Sequence, residues 1–203
     1  MLVELNELNK SYHNGVFEVA ALKNINLKIN KGEFTVFAGP SGSGKTTLLN
    51  IVGTMDKLSS GEVRVDGIEL SALSKNEASD FRKDKIGFIF QSYNLIPVLT
   101  VYENVEFILD LVGKFTKSEK ELKINTLLEE LGLWEYKNRK PSELSGGQQQ
   151  RVAIARALIK EPLIVLADEP TANLDSKTGE NILDLMKKLN EDKGVTFIFS
   201  SHD

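Results

Sequence analysis

The segment GPSGSGKTT, Gly39 to Thr47, places Gly39, Gly44, Lys45 and Thr46 at the spacing G-x-x-x-x-G-K-[ST]. Glycines let successive backbone N–H groups turn toward one anion, and a helix N-terminus behind them adds partial positive charge. The loop residues Gly39, Pro40, Ser41, Gly42, Ser43, Gly44, Lys45, Thr46 and Thr47 are thereby candidates to cradle a triphosphate. In such a loop Lys45 reaches the β- and γ-phosphates and the Thr46 hydroxyl binds Mg²⁺. The plain alternative is an ordinary Gly-rich turn. The apolar run FTVFAG before the loop and the helical spacing of Leu48, Leu49 and Val52 after it favour nucleoside-triphosphate binding.

LIVLADEP supplies carboxylates for the same chemistry. Five apolar residues predict a buried strand, with Asp168 emerging at its carboxyl end, where ligands of open α/β sheets bind. Asp168 is placed to hold the metal, through water. Adjacent strand residues point to opposite sides, so Glu169 is free to face the γ-phosphate and an attacking water. An acidic pair that merely caps a strand is the bland reading of these two residues, and the phosphate loop weighs against it. Gln91 ends the apolar run KIGFIFQ, and its amide could reach metal or water. His202 follows VTFIFS at the same sheet edge and could hydrogen-bond the γ-phosphate. A lone histidine is more often structural.

A second glycine-bearing device lies in ELSGGQQQRVAIARAL, Glu143 to Leu158. Ser145 and Gln148 have the spacing of a capping box, opening a helix whose packed face includes Val152, Ala155 and Ile159. That accounts for the serine and the glutamine. Gly146 and Gly147 carry a backbone-entropy cost unless something approaches closely, and a γ-phosphate would meet that condition.

These residues need a scaffold. LVELNEL and ALKNINLKI alternate as half-buried antiparallel strands do, and FTVFAG suits a strand buried on both faces. EVRVDG reads as a short strand into a turn, KIGFIFQ as a buried strand ending at Gln91, and LIVLAD and VTFIFSSHD as further strands. VYENVEFILDLV and EKELKINTLLEELGL have apolar residues three and four apart, and KTGENILDLMKKLNED is helical. Strand–helix alternation interrupted by a helical stretch implies a parallel-sheet core with a helical subdomain projecting from it.

The 203 residues suffice for one substantial domain, at 41% hydrophobic and 27% charged content. A net charge of −4 with no long basic run argues against nucleic acid as a partner. The absence of cysteine excludes a disulfide scaffold. No signal-peptide layout is visible at the N-terminus. Apolar runs are far shorter than the roughly 20 residues of a membrane span, so any membrane role must come through a partner.

LSGGQQQR, Leu144 to Arg151, resembles the signature motif of ATP-binding cassette (ABC) ATPases and precedes a Walker-B-like LIVLADEP, as in that family. Tyr12 matches the aromatic residue that stacks on adenine, Gln91 the Q-loop, NLDS at Asn173 to Ser176 the D-loop, and His202 the switch histidine. The match spans almost the whole chain. FIFQSYNLIPVLTVYENV together with the signature segment is most similar to the MacB-like and lipoprotein-release (LolD-like) branch. The resemblance implies an α/β fold: a P-loop NTPase core whose parallel sheet is flanked by helices, an N-terminal antiparallel β subdomain and an inserted α-helical subdomain. It implies one nucleotide-binding domain over residues 1–203. Residues 1–91 hold the β subdomain and the first part of the core, 92–160 the helical subdomain, and 161–203 the Walker B, D-loop and H-loop part.

It further implies an ATPase that uses ATP and Mg²⁺ and pairs head to tail as a homodimer. Ser145, Gly146, Gly147 and Gln148 of one copy would close on the γ-phosphate held by the other. Catalytic roles fall to Glu169, His202, Gln91 and Lys45, and metal binding to Thr46, Gln91 and Asp168. The implied partner is an integral membrane permease docking near Gln91 to Pro97, with the ATPase peripheral on the cytoplasmic face. A cassette regulating cell division or another non-transport membrane complex is the alternative. A chromosome-structural cassette would need a long coiled-coil insertion, and a translation-associated one two motif sets. A non-enzymatic scaffold would lack the equivalents of Lys45, Asp168 or Glu169. Family members usually continue past the switch histidine for another strand and helices, so either a C-terminal truncation or a naturally short tail is expected. Asp175 would simply begin a helix or reach across the dimer as part of the D-loop.

Overall fold

The computed structural model describes residues 1–15 and 17–202; Val16 and Asp203, the last residue of VTFIFSSHD, lie outside the described residues. β1 (Val3–Asn14) and β2 (Phe17–Ile29) form the expected antiparallel hairpin. β3 (Phe34–Ala38) runs into the phosphate loop and α1 (Lys45–Val52). β4 (Ser60–Val65) and β5 (Ile68–Glu69) complete an antiparallel sheet of order β2-β1-β4-β5. After α2 (Lys75–Lys85) and β6 (Ile86–Ile89) come α3 (Val101–Val112), α4 (Lys117–Glu130) and α5 (Gly146–Leu158). β7 (Ile164–Ala167), α6 (Ser176–Lys193) and β8 (Thr196–Ser201) follow. The second sheet is parallel, in the order β3-β8-β7-β6.

Alternation along the parallel strands divides the interior. Ile164, Leu166 and Ile198 face a core shared with β1, β4 and α1, whereas Val165, Ala167, Phe197 and Phe199 face one built with α3, α4, α5 and α6. The sheet is thus covered on both sides, as parallel sheets require. All its strands end at one edge, where Ala38, Ile89, Ala167 and Ser201 hand the chain to the candidate site.

Two expectations need correction. FTVFAG is half-buried rather than buried on both faces: β3 is an edge strand, and Val36 is 48% exposed. The apolar run is needed on its β8 side, where Phe34 packs against Phe197 and Phe199 at centroid distances of 5.8 and 5.0 Å. KIGFIFQ leaves the sheet at Ile89, so Gln91 lies in the following turn.

No apolar periodicity announces α2. Phe81 is its buried residue, which leaves no stripe to read. Its ends are secured instead by a Ser74/Glu77 capping box and by Lys160, whose ammonium donates to the carbonyls of Arg82 (3.0 Å) and Lys83 (2.7 Å). Burial pushes the Lys160 ammonium down from 10.5 to about 8, with the nearby Asp84 carboxylate opposing the shift. Between those two values the unfolded chain retains a proton that the folded chain has released, so this group makes stability rise with pH across that window. We predict that wild-type stability, measured by denaturant unfolding, rises relative to Lys160→Met between about pH 8 and 10. A constant difference across that range would contradict the assignment.

Candidate functional site

The phosphate loop joins β3 to α1 through three residues in the left-handed region, Gly39 (φ 152°), Gly42 (φ 80°) and Gly44 (φ 91°). At Gly44 the reason is doubled: a Cβ there would lie 2.6 Å from the Ala21 carbonyl of β2, so the loop abuts the antiparallel hairpin. Lys45, buried at the first position of α1, turns its ammonium back into the loop. It donates to the carbonyls of Gly39 and Pro40 (2.9 Å to Pro40) and to Ser43 Oγ (3.4 Å). Pro40 also accepts from the Ser43 N–H at 3.3 Å. Ser41, Gly42 and Thr46 are exposed and Thr47 is half-buried.

The acidic strand end meets this loop. Thr46 Oγ1 donates to Asp168 Oδ1 at 3.0 Å, bridging α1 and β7. Ser200, buried at the end of β8, donates from its hydroxyl to the same Asp168 oxygen (2.7 Å) and accepts from the Glu169 N–H (2.9 Å). The Asp168 N–H donates to the Ile89 carbonyl at 2.9 Å. Glu169 adopts φ 48°, a conformation uncommon for a residue with a Cβ. Its Oε1 lies 2.5 Å from His202 Nε2. Thr46, Asp168, Glu169 and His202 are therefore connected by short contacts, with Ser200 at their centre.

Gln91 is exposed, and its carbonyl accepts from the Asn173 side chain at 2.8 Å. Tyr12 lies on β1 opposite Val19, two residues along β2 from the Ala21 that touches Gly44. Tyr12 is 41% exposed. The antiparallel hairpin thus carries an aromatic surface beside the phosphate loop.

The second glycine device is a capped helix. The exposed Ser145 caps α5: the Gln148 N–H donates to Ser145 Oγ (3.3 Å) and the Ser145 N–H to Gln148 Oε1 (2.8 Å). The close approach that its glycines demand comes from within the chain. A Cβ on Gly146 would lie 3.1 Å from Tyr93 Oη and 3.2 Å from Leu174 Cδ2, and one on Gly147 2.7 Å from Thr178 Cγ2. An outside phosphate is not needed to explain the pair. Asp175 caps α6 through the Thr178 N–H (3.0 Å) and hydroxyl (2.6 Å). Those two bonds hold its carboxyl below the ordinary value, outweighing the opposing effect of burial.

Three residues that bind the site together went unseen in the sequence. Ser200 is one. Gln150, fully buried on α5, donates to the Pro170 carbonyl at 2.6 Å and ties the signature helix to the exit of β7. Asn104, fully buried on α3, accepts from the Ile96 N–H (2.9 Å) and donates to the carbonyls of Ile96, Leu99 and Thr100. It thereby pins the segment after Gln91. Ser200 follows the apolar run FIF, and that mismatch was an available signal; Gln150, within GGQQQR, and Asn104, beside Glu103, carried none.

A phosphate loop joined to a carboxylate-bearing strand end across a parallel sheet defines a nucleoside-triphosphate-hydrolysing α/β core. The family described as ABC transporter matches residues 22–172. The ABC transporter ATP-binding protein MJ0796 of Methanocaldococcus jannaschii is 50% identical over 205 residues, covering 100% of this chain and 87% of the relative. A solved dimeric structure of that cassette, in a post-hydrolysis state bound to ADP and Pi, superposes with a TM-score of 0.89, covering 100% of this chain and 88% of that one. The lipoprotein-releasing system ATP-binding protein LolD of Francisella tularensis is 44% identical, covering 100% of this chain and 88% of its own length. The macrolide export ATP-binding/permease protein MacB of Syntrophobacter fumaroxidans is 45% identical over all of this chain, which spans 28% of that relative. The chain belongs to the ABC transporter family. It is an ATP-binding, ATP-hydrolysing cassette of the MacB and LolD kind.

The contact between Gly147 and Thr178 generates a stability prediction. Gly147→Ala should cost about 1–3 kcal/mol by overpacking against the Thr178 methyl. Thr178→Ser, which keeps the hydroxyl and removes that methyl, should restore most of the loss in the double variant. A thermal melt in which the second substitution restores nothing would contradict the contact.

Proposed function

We propose that two copies of this chain close head to tail over two ATP molecules, hydrolyse them, and pass the opening and closing to an integral membrane permease. The observation that carries this reading is the separation of the two devices. Thr46, Asp168, Glu169 and His202 form one set connected through Ser200, beside the loop that holds Lys45, while Ser145 presents its hydroxyl and helix N-terminus on a separate element. The relative MJ0796 has been solved as a dimer, which supports pairing here.

In the closed state the loop N–H groups and Lys45 hold the β- and γ-phosphates. Tyr12 stacks on the adenine. Glu169, turned out of the strand by its backbone, orients and polarises a water in line with the γ-phosphorus and accepts its proton as the bond to the leaving oxygen breaks. His202, in contact with Glu169, fixes that carboxylate and reaches the γ-phosphate. Ser145, Gly146, Gly147 and Gln148 of the partner copy close the far side, adding N–H and hydroxyl donors to the charge that develops.

The Thr46 hydroxyl and the Asp168 carboxylate, 3.0 Å apart at the loop, are the hard oxygen donors that suit Mg²⁺, with Gln91 as a further oxygen. When bound, Mg²⁺ would neutralise charge on the transferring phosphoryl group. The phosphates and these oxygens would position it.

The same reading takes residues 1–203 as one nucleotide-binding domain, with the helical subdomain in 92–160. The permease would dock at Gln91 to Pro97 and the adjoining apolar surface, where Val98, Phe107 and Leu111 are exposed and Asn104 keeps the segment rigid. Among the described residues no helix is long and apolar enough to cross a membrane, so the chain would sit peripherally on the cytoplasmic face. The relatives' names, macrolide export and lipoprotein release, point to export or release of a lipoprotein, peptide or drug.

Glu169→Gln tests the reading directly. It should retain ATP binding, lower turnover at least about 100-fold, and give a long-lived dimer in saturating ATP and Mg²⁺, measured by light scattering. A variant that stays monomeric under those conditions, or hydrolyses at the wild-type rate, contradicts it.

A further inference from the structure

Asp56, in the loop that leaves α1, is used by none of the steps above, yet it receives a concentrated set of hydrogen bonds. Tyr12 Oη donates to its Oδ2 at 2.6 Å. Lys10 Nζ donates to its Oδ1 at 2.8 Å, and the Lys57 N–H to the same oxygen at 2.7 Å. Lys10 Nζ also donates to the Lys57 carbonyl at 2.7 Å, and it lies over the Tyr12 ring, 4.6 Å from the centroid.

Lys10 and Tyr12 are two apart on β1, and although the pairing with β2 is irregular between Lys10 and Ser11 their side chains meet at Asp56. Lys10 is 9% exposed, so the ring face it covers is the inner one, and the outer face of Tyr12 is left for a flat partner. A phenol held only at its Cβ would sample several rotamers. Here its far end is fixed by a carboxylate that an ammonium and a backbone N–H hold in turn.

Asp56 is itself rigidly joined to the phosphate machinery. Its N–H and that of Met55 both donate to the Asn50 carbonyl of α1, at 3.1 and 2.8 Å. The next residues are laced to β1: the Ser59 N–H donates to the Asn9 carbonyl (2.9 Å) and the Ser11 N–H to Ser59 Oγ (3.0 Å). The helix that begins at Lys45 inside the phosphate loop therefore ends in a loop that grips the aromatic ring.

We propose that Asp56 is a positioning residue for base binding: by holding Tyr12 from one side and Lys10 from the other, it sets the stacking surface at a fixed distance from the phosphate loop. The proposal rests on the reading of Tyr12 as the adenine platform. Asp56 touches no nucleotide. It acts by keeping the ring in the one orientation that lets base and phosphates bind together, so its removal should weaken ATP and spare a ligand that has no base.

The test is equilibrium competition of Mg-ATP and Mg-triphosphate, the inorganic tripolyphosphate, for the whole chain and its variants. Tyr12→Ala should weaken ATP about ten-fold or more relative to triphosphate, the scale of one stacked base. Asp56→Ala should weaken ATP about five-fold with triphosphate unchanged, and should have no further effect in the Tyr12→Ala background. Tyr12→Phe keeps the ring and removes only the tether. It should weaken ATP about three-fold, which keeps the proposal testable if Asp56→Ala does not fold. Should Tyr12→Ala leave the ratio unchanged, the adenine platform lies elsewhere and the Asp56 proposal fails with it. If Tyr12→Ala lowers the ratio but Asp56→Ala and Tyr12→Phe do not, the Asp56 proposal alone is overturned. An equal effect of Asp56→Ala in both backgrounds would overturn it as well.

Discussion

The Ser200 hydroxyl, buried at the carboxyl edge of the parallel sheet, is the contact on which the rest of the site depends. It donates to Asp168 and accepts from the backbone of Glu169, two neighbouring residues that must do different things. The backbone leaves the strand through a left-handed conformation at Glu169, at a local cost of about 1–3 kcal/mol. A buried N–H that finds the Ser200 oxygen offsets part of that cost, because leaving it unpaired would add about 1–3 kcal/mol more. The pairing register of β7 with β8, in which Ala167 faces Phe199, places Ser200 within reach of both. A slip of one residue would turn its hydroxyl to the other face and leave Asp168 and the Glu169 N–H without it.

A second set of contacts joins this centre to the signature helix. Gln150 reaches the Pro170 carbonyl immediately after Glu169, and Gly146 and Gly147 let Leu174 and Thr178 press onto the start of α5. The helix that Ser145 caps is therefore packed on the segment that follows Glu169. Asn173, bonded to the Gln91 carbonyl, extends the same network to the loop proposed to meet the permease. Close packing makes such a connection stiff.

The place of the candidate site was legible because it is written in local spacing. A phosphate loop needs its glycines, lysine and threonine at fixed intervals and the acidic strand end an apolar run before it, and the structure brings Thr46 and Asp168 together where the strands end. Helices α3 and α5 and strands β7 and β8 were legible from periodicity. α2 was not: with Phe81 as its buried residue it shows no stripe, although the Ser74-to-Glu77 capping spacing was there to see. The half-exposed state of β3 depends on its place at the sheet edge, which no local pattern encodes. Ser200, Gln150 and Asn104 matter through partners distant in sequence or in loops, so their roles appear only once the sheet register and helix packing are known. The signature glycines were legible as a place of close approach, but the sequence could not show that side chains of the same chain, Tyr93 at Gly146 and Thr178 at Gly147, already press on them.

If groups from two copies enclose the terminal phosphate, ATP turnover must depend on pairing. Steady-state turnover per chain, measured against protein concentration at saturating Mg-ATP, should then climb as pairs form and level off. Specific activity that stays constant down to concentrations at which the chain is wholly monomeric would contradict it.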